Sequence, residues 1–599
     1  MKFQAKILIP ILALVLIFPA TAAIYSLRPL EKKNTPQNFS VTPYVDPLPI
    51  PRHIVVPTGV SDITIRLNQF ESQLHSNFPK AATMWGYEGS SPGPVIDVEQ
   101  NQKVRVHWKN ELPTTHVFPP VPGAMNMGVT PGSKIVFDGP TTAIQETNTF
   151  FRMIFDASSA NLPDVRNITH LHGAFVSEMN PLDRHYNNDG WPDAWNVPGE
   201  EQIAEYPNQQ SARTLFYHDH AFAQTGRNVA AGLVGTYIIH DDYERLLNLP
   251  SGKYEIPLLF QAAQFEGDGV RTYTDQVDKE FFGNGVLVNG KLMPYLEVEP
   301  RKYRFRMVNA GNARELGLSL IDQSSVNTPG PVFYQIASDA GFLEKTVVLN
   351  DKTSEKPLQL FIDPAERADV IIDFSPYAGR NFILLNSNSI TDHDGEMPLY
   401  QIMLFKVGTK VSAPDTSSLP MQMKKIEKLK VEDAVAKRQI VLSQTDKPDG
   451  SSLFQIDHRA WVYPKEDAKA QEYWDYEISH KTKANSIEVW DLINTSILMH
   501  PFHVHQVQFQ LLERRPFNVD KYNETGVIEF TGDAIAPDAN EAGWKDVIRA
   551  NQRQVTRIIM RFGPETGYYV YHCHILEHED MDMMVPFQVL PGAPKIKQR

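Results

Sequence analysis

The chain reads as an all-β protein built from three consecutive sandwich-like units, and three observations carry that reading. Its 44 prolines and 34 glycines favour short strands and tight turns over long helices. Apolar and polar residues alternate in runs such as Ile63-Thr64-Ile65-Arg66-Leu67 and Val104-Arg105-Val106-His107-Trp108, the period of a half-buried strand. At 599 residues the chain exceeds what one hydrophobic core supports. Three units of about 150 residues suit a triplicated sandwich, although no short-period repeat is evident.

In chain order, Lys2 and Lys6 precede an apolar run over 7–18, and Pro19-Ala20-Thr21-Ala22-Ala23 follows with small residues spaced for cleavage. Residues 1–24 read as a secretory signal peptide. The alternative is an uncleaved anchor over 7–25, since the run approaches the roughly 20 residues that span a bilayer. The protein is accordingly expected outside the cytoplasm, periplasmic or extracellular, as a monomer, with no stable membrane partner unless the leader stays. No twin-arginine pair precedes the run, so export unfolded with later metal loading is the simpler route.

A proline-rich lead-in comes next, and the first unit occupies 45–243, with Ser91-Pro92-Gly93-Pro94 as turn chemistry. The second spans 252–408, with strands at 303–308 and 370–374 and no paired histidines. Residues 409–436 read as a linker with one short helix. The third unit, 437–592, includes strands at 487–490 and 504–509.

Composition narrows the function. The apolar share of 42% is ordinary for a globular protein, and a net charge of −14 without a basic block excludes a nucleic-acid surface. A small neutral or cationic substrate is tolerated better.

The stretch Tyr571-His572-Cys573-His574-Ile575-Leu576-Glu577-His578 holds the only cysteine of the chain. On a strand, Cys573 points one way and His572 and His574 the other, so one segment can serve two metal sites. His578 and Met583 follow after a short turn that returns them toward the sulfur. A thiolate, two imidazoles and a distant thioether make a blue-copper electron-transfer site, with the second imidazole supplied from upstream. Export normally invites disulfides, yet a lone cysteine makes none within the chain, which leaves it as a ligand.

Four His-x-His pairs occur, His170/His172, His218/His220, His503/His505 and His572/His574, where 19 scattered histidines would give roughly 0.6 by chance. Together with His500, Cys573, His578 and Met583 they gather the borderline-soft donors that a metal site needs. A zinc hydrolase needs an open zinc site and leaves Cys573 and Met583 unexplained. His53, His75, His107, His116, His185, His240, His393, His458 and His480 lack ligand spacing and read as structural or solvated.

The pairs sit in His170-Leu171-His172-Gly173, Tyr217-His218-Asp219-His220, His500-Pro501-Phe502-His503-Val504-His505 and the cysteine stretch. In order and spacing these match the copper motifs of the multicopper oxidases, and the sequence resembles the bacterial branch that contains spore-coat laccase and the bilirubin oxidases. The likeness continues through Tyr206-Pro207-Asn208-Gln209-Gln210, Leu233-Val234-Gly235, Gly543-Trp544-Lys545-Asp546 and Glu577-His578-Glu579-Asp580, and is weaker in the middle unit.

The resemblance implies three cupredoxin-like Greek-key sandwiches and four copper ions, one type 1, one type 2 and two type 3. It implies His500, Cys573, His578 and axial Met583 at the type 1 ion, and His170 and His503 at the type 2 ion. His172, His218 and His574 would hold one type 3 ion, and His220, His505 and His572 the other. Asp189 and Glu579 fall where the family relays protons. At ~3.3 Å per residue plus side-chain reach, the two centres should lie on the order of 10–15 Å apart. The implied activity is laccase-like: four one-electron oxidations of phenols, aromatic amines or related donors, coupled to reduction of dioxygen to water. Oxidation of bilirubin or of metal ions stays open within the family, and a non-catalytic copper-binding scaffold outside it.

Overall fold

Alternation decides the first pair of sheets. In the strand Val104–Asn110, Val104, Val106 and Trp108 are buried while Arg105 faces solvent. This strand lies in a four-stranded sheet of order Ala82–Tyr87, Asp62–Ser72, Val104–Asn110, Glu201–Tyr206. A five-stranded sheet packs against it, running His53–Val55, Val95–Glu99, Val234–His240, Arg213–Asp219, Thr169–His172. Between them lie Ile65, Leu67, Trp85, Trp108, Leu215 and Tyr237, and each fully buried aliphatic side chain of this kind contributes about 1.5–3 kcal/mol.

The computed structural model describes residues 40–119, 163–273, 280–355, 357–386, 401–446, 452–459, 461 and 478–592. The leader over 1–24, the anchor alternative over 7–25 and His393 lie outside them. Among the described residues no helix is long and apolar enough to cross a membrane.

Two further sheet pairs follow, one between Glu255 and Val407 and one between Ala436 and Leu590. All three pairs repeat one topological step, a long first strand paired parallel with a later one. Asp62–Ser72 pairs with Val104–Asn110, Glu255–Phe265 with Lys302–Asn309, and Ala436–Asp446 with Ile487–Asn494. Parallel neighbours need a crossover, and the crossovers give three cupredoxin-like sandwiches. Residues 409–436 run along the second sandwich, where Met423 N–H donates to the Glu344 carbonyl at 2.8 Å, and contain one 3₁₀ turn, Val431–Asp433.

The expected strand over 504–509 is not continuous. His500–Val504 is one strand, Phe509–Pro516 is another, and Gln506 between them has φ +68°. A period of two fits Val504-His505-Gln506-Val507-Gln508-Phe509 equally well on either side of a turn, so periodicity alone misses the break. The break releases His505 from the sheet.

The first and third sandwiches meet backbone to backbone. Tyr568 N–H donates to the Glu178 carbonyl at 2.8 Å, and Tyr569 Oη–H to the Val176 carbonyl at 2.7 Å. Gly567, at φ +144°, permits this approach, because a Cβ there would stand 2.1 Å from the Glu178 carbonyl oxygen. On the other side, the Asp580 carboxylate accepts from Thr225 N–H and Gly226 N–H at 3.0 and 2.8 Å, capping the helix Thr225–Ala231 across the seam.

Candidate metal centre

Each flanking sandwich contributes two His-x-His segments, and sheet register sets them face to face. Antiparallel pairing of Thr169–His172 with Arg213–Asp219 places His170 opposite His218. Pairing of His500–Val504 with Gly567–Cys573 places His503 opposite His572 and Phe502 opposite Cys573. All four strands are covered on both faces at this point, and every histidine they carry is buried.

The imidazoles gather into three sets, the first two sharing His172, and within each set the ligand-capable atoms lie within 4.8 Å of one another: His170, His172 and His503; His172, His218 and His574; His220, His505 and His572. A separate set on the opposite side of the cysteine strand joins His500, Cys573 and His578. Cys573 Sγ lies 3.4 Å from His500 Nδ1 and 3.7 Å from His578 Nδ1. The strand ends at Cys573, and the one-turn helix Leu576–Glu579 brings His578 back toward the sulfur. Met583 is buried in the same apolar cluster as Cys573, whose N–H donates to the Met583 carbonyl at 3.0 Å.

Hydrogen bonds decide where the ring protons sit. His170 Nδ1 meets the Asp189 carbonyl, His218 Nδ1 the Asp219 carbonyl at 2.7 Å and His503 Nδ1 the Asp546 carbonyl at 2.8 Å. A carbonyl only accepts, so each of these outer nitrogens carries the proton. The inner nitrogens, Nε2 of His170, His218 and His503, are then lone pairs, buried and without a hydrogen-bond partner among the described residues. His172 is turned the other way, with Nε2–H donating to Asp546 Oδ1 at 3.3 Å and Nδ1 left without a partner. His572 Nε2 stands 3.4 Å from His220 Nε2 and 3.2 Å from His505 Nε2.

Burial, reinforced by neighbouring imidazoles, holds His170, His172, His220, His503, His505 and His574 well below the ordinary imidazole value. Burial takes His218 down to about 3. Neutral rings with inward lone pairs form a cavity wall suited to a cation. On the cysteine side burial pushes the thiol well up, so a thiolate there needs a bound cation beside it. Imidazole and cysteine-sulfur donors without a carboxylate in these sets suit copper. In one further grouping Asp189 joins His170 and His505, but its Oδ2 already accepts from His505 Nδ1 at 2.8 Å, which keeps it outside the metal sets.

Asp189 and Glu579 lie against this cluster. Burial, with Glu178 nearby, raises the Asp189 carboxyl well above its ordinary value. Glu579 Oε2 is 2.9 Å from His572 Nδ1 and its Oε1 3.4 Å from His220 Nε2, close contacts that do not meet hydrogen-bond geometry.

Several functional groups carry no sequence signal. Glu280, from the second sandwich, meets His578 Nε2 at 3.1 Å, and Ser496 Oγ meets His500 Nε2 at 2.8 Å. Phe216 stacks on His172 and His218 at centroid distances of 4.7 and 5.0 Å. Asp546 lies in a stretch noted for its resemblance, but nothing in spacing ties it to His172 and His503.

The folds and donor sets define a copper protein of the cupredoxin class. The multicopper oxidase family models match residues 71–119 with 159–244, and 445–593. The laccase of Bacillus subtilis (strain 168) is 36% identical over 569 residues, covering 91% of this chain and 98% of that one. The laccase of Haloferax volcanii is 33% identical, covering 91% and 85%. The bilirubin oxidase of Albifimbria verrucaria is 32% identical, covering 81% and 77%. The McoA multicopper oxidase of Aquifex aeolicus shares the fold, with a TM-score of 0.68 at 23% identity over 91% of this chain and 99% of that one. The chain belongs to the multicopper oxidases. It is a laccase-like copper oxidoreductase that uses four coppers, takes electrons from a small-molecule donor and delivers them to dioxygen.

Proposed function

We propose that the donors are phenols, aromatic amines or related one-electron reductants, and that they are oxidised at the set formed by His500, Cys573, His578 and axial Met583. In this reading His170 and His503 hold the type 2 ion. His172, His218 and His574 hold one type 3 ion, and His220, His505 and His572 the other. Copper bound in these sets supplies single-electron exchange on the cysteine side and reduction of dioxygen to water on the histidine side.

One observation carries the assignment. Cys573 belongs to one donor set, while its chain neighbours His572 and His574 belong to two others, so two residues of backbone join the donor side to the oxygen side. The other residues position and protonate. Carbonyls of Asp189, Asp219 and Asp546 hold the ring protons outward, and Asp189 and Glu579 lie where a proton passes from carboxyl to cluster.

The unit boundaries proposed are 45–243, 252–408 and 437–592 with a linker over 409–436, supported by sheet pairs that close within each range. An exported protein, periplasmic or extracellular, with residues 1–24 removed and a single chain in solution, completes the reading. Copper-loaded protein should show an intense blue thiolate-to-copper absorption, and Cys573→Ser should abolish both the colour and dioxygen uptake with a phenolic donor. A colourless copper-loaded wild type would reject the assignment. The bilirubin oxidase among the relatives favours bilirubin as a second donor, and comparing bilirubin, phenols and metal ions in the same oxygen-uptake assay ranks them.

A further inference from the structure

The middle sandwich supplies none of the donors in the four sets, yet one of its arginines grips the carboxylate of Asp546, which holds two of their imidazoles. Arg367, on the strand Arg367–Asp373, is buried where all three sandwiches meet. Its guanidinium uses all five donors. Nε donates to the Thr214 carbonyl at 3.1 Å in the first sandwich. Nη1 donates to the Ala365 carbonyl at 2.9 Å and Nη2 to the Asp339 carbonyl at 3.1 Å in the second. The remaining two N–H groups grip the Asp546 carboxylate of the third as a fork, Nη1 to Oδ1 at 2.6 Å and Nη2 to Oδ2 at 2.5 Å. A guanidinium with every donor spent has one orientation, and it passes that orientation to the carboxylate.

Asp546 in turn touches two of the imidazoles. Its Oδ1 accepts from His172 Nε2 at 3.3 Å and its backbone carbonyl from His503 Nδ1 at 2.8 Å. These contacts are what turn His172 Nδ1 and His503 Nε2 inward, and both rings belong to the set His170, His172 and His503. A separate ion pair lies beside the fork: Lys545 Nζ pairs with Glu366 Oε1 at 2.8 Å and with Asp339 Oδ2 at 2.9 Å. The glycine after the first histidine pair is part of the same device. A Cβ on Gly173 would lie 2.5 Å from Asp546 Oδ2 and 3.0 Å from Arg367 Nη2, which leaves no room for the fork.

We propose that Arg367 is a positioning residue through which the middle sandwich holds Asp546 and so aims His503 at the type 2 ion and His172 at the neighbouring type 3 ion; this deepens the metal assignment above and rests on it. Loss of an outer hydrogen-bond partner of this kind weakens metal retention about 10- to 100-fold. The Cys573 set, on the opposite side of its strand, does not depend on it.

The test compares copper-loaded wild type, Arg367→Met, Arg367→Lys and Glu366→Gln. The last removes the charge of the neighbouring ion pair and leaves the Asp546 fork in place. The readouts are copper per chain, the blue absorption band and the type 2 signal in electron paramagnetic resonance. Arg367→Met should keep the blue band while losing the type 2 signal and at least one copper per chain on dialysis, and Glu366→Gln should keep all three. A full type 2 signal in Arg367→Met, or the same loss in Glu366→Gln, would overturn the proposal. Should Arg367→Met fail to accumulate folded, Arg367→Lys decides: it keeps the charge without the planar fork, so an altered or weakened type 2 signal supports the proposal and a wild-type signal rejects it. A wild type without blue band or type 2 signal would instead overturn the underlying metal assignment.

Discussion

His578 Nε2 lies 3.1 Å from Oε1 of Glu280, so an imidazole of the third sandwich is held on its outer edge by a carboxylate of the second. The contact is buried on the histidine side and sets the ring with Nδ1 toward Cys573 Sγ. A carboxylate on the outer N–H makes the imidazole a stronger donor and stabilises the oxidised metal. Glu280→Gln should therefore raise the reduction potential of the blue centre, read by redox titration of its absorption band. A lowered or unchanged potential would contradict this.

Gly567 seals the contact between the first and third sandwiches. At φ +144°, with the Glu178 carbonyl oxygen 2.1 Å from where a Cβ would stand, Gly567→Ala meets both a disfavoured backbone and an immovable neighbour. Destabilisation by more than about 1 kcal/mol is expected. Since His572 follows five residues on, the same variant should lose copper from the histidine cluster faster than from the Cys573 set. Thermal unfolding and copper release measured together check this.

A pH-dependent part of the stability should come from His240. Burial disfavours its charged form, but the Asp97 carboxylate at 3.1 Å and the Glu244 carboxylate at 2.6 Å outweigh that, and its pKa rises to about 9. Glu244 also pairs with Arg306 of the second sandwich at 2.6 Å, which ties the group to the seam between the sandwiches. With the folded value above the unfolded one of ~6.5, the stabilisation is complete below pH ~6.5 and lost as pH rises through about 9. The linked change is at most about 3 kcal/mol. Urea midpoints from pH 6 to 10 should fall for wild type and fall less for His240→Gln. Equal slopes would rule out His240 as the source.

Removing copper should destabilise the protein without unfolding its sheets. Inward lone pairs on His170, His172, His218 and His503 lose their only counterpart, while the sandwich cores are untouched. A ligand at 100 times its dissociation constant stabilises by about 2.7 kcal/mol, and several bound ions add to that. Chelated protein should keep its far-ultraviolet circular dichroism, melt at lower temperature and recover with added copper. An unchanged melting temperature would mean that the cluster is as stable empty as filled.

The all-β class and the donor residues are legible in the sequence because both are local patterns. Alternation in Val104–Asn110 reports a strand by itself, and the spacing of Cys573 between His572 and His574 reports opposite faces by itself. Where pattern and geometry separate, as at Gln506, a turn with positive φ fits the same alternation and goes unseen.

What the sequence alone determined is which atoms are available to bind metal: one thiol, paired imidazoles and a thioether, since donor type is a property of the residue. Which of them come within reach of one another, and which ring nitrogen faces inward, only the tertiary structure decided. His503 comes opposite His572 through strand register, His172 meets His574 through packing of the first sandwich on the third, and Arg367 reaches Asp546 across 179 residues of chain. Such proximities arise from burying the faces of separate sheets against one another, and no local pattern in the chain encodes them.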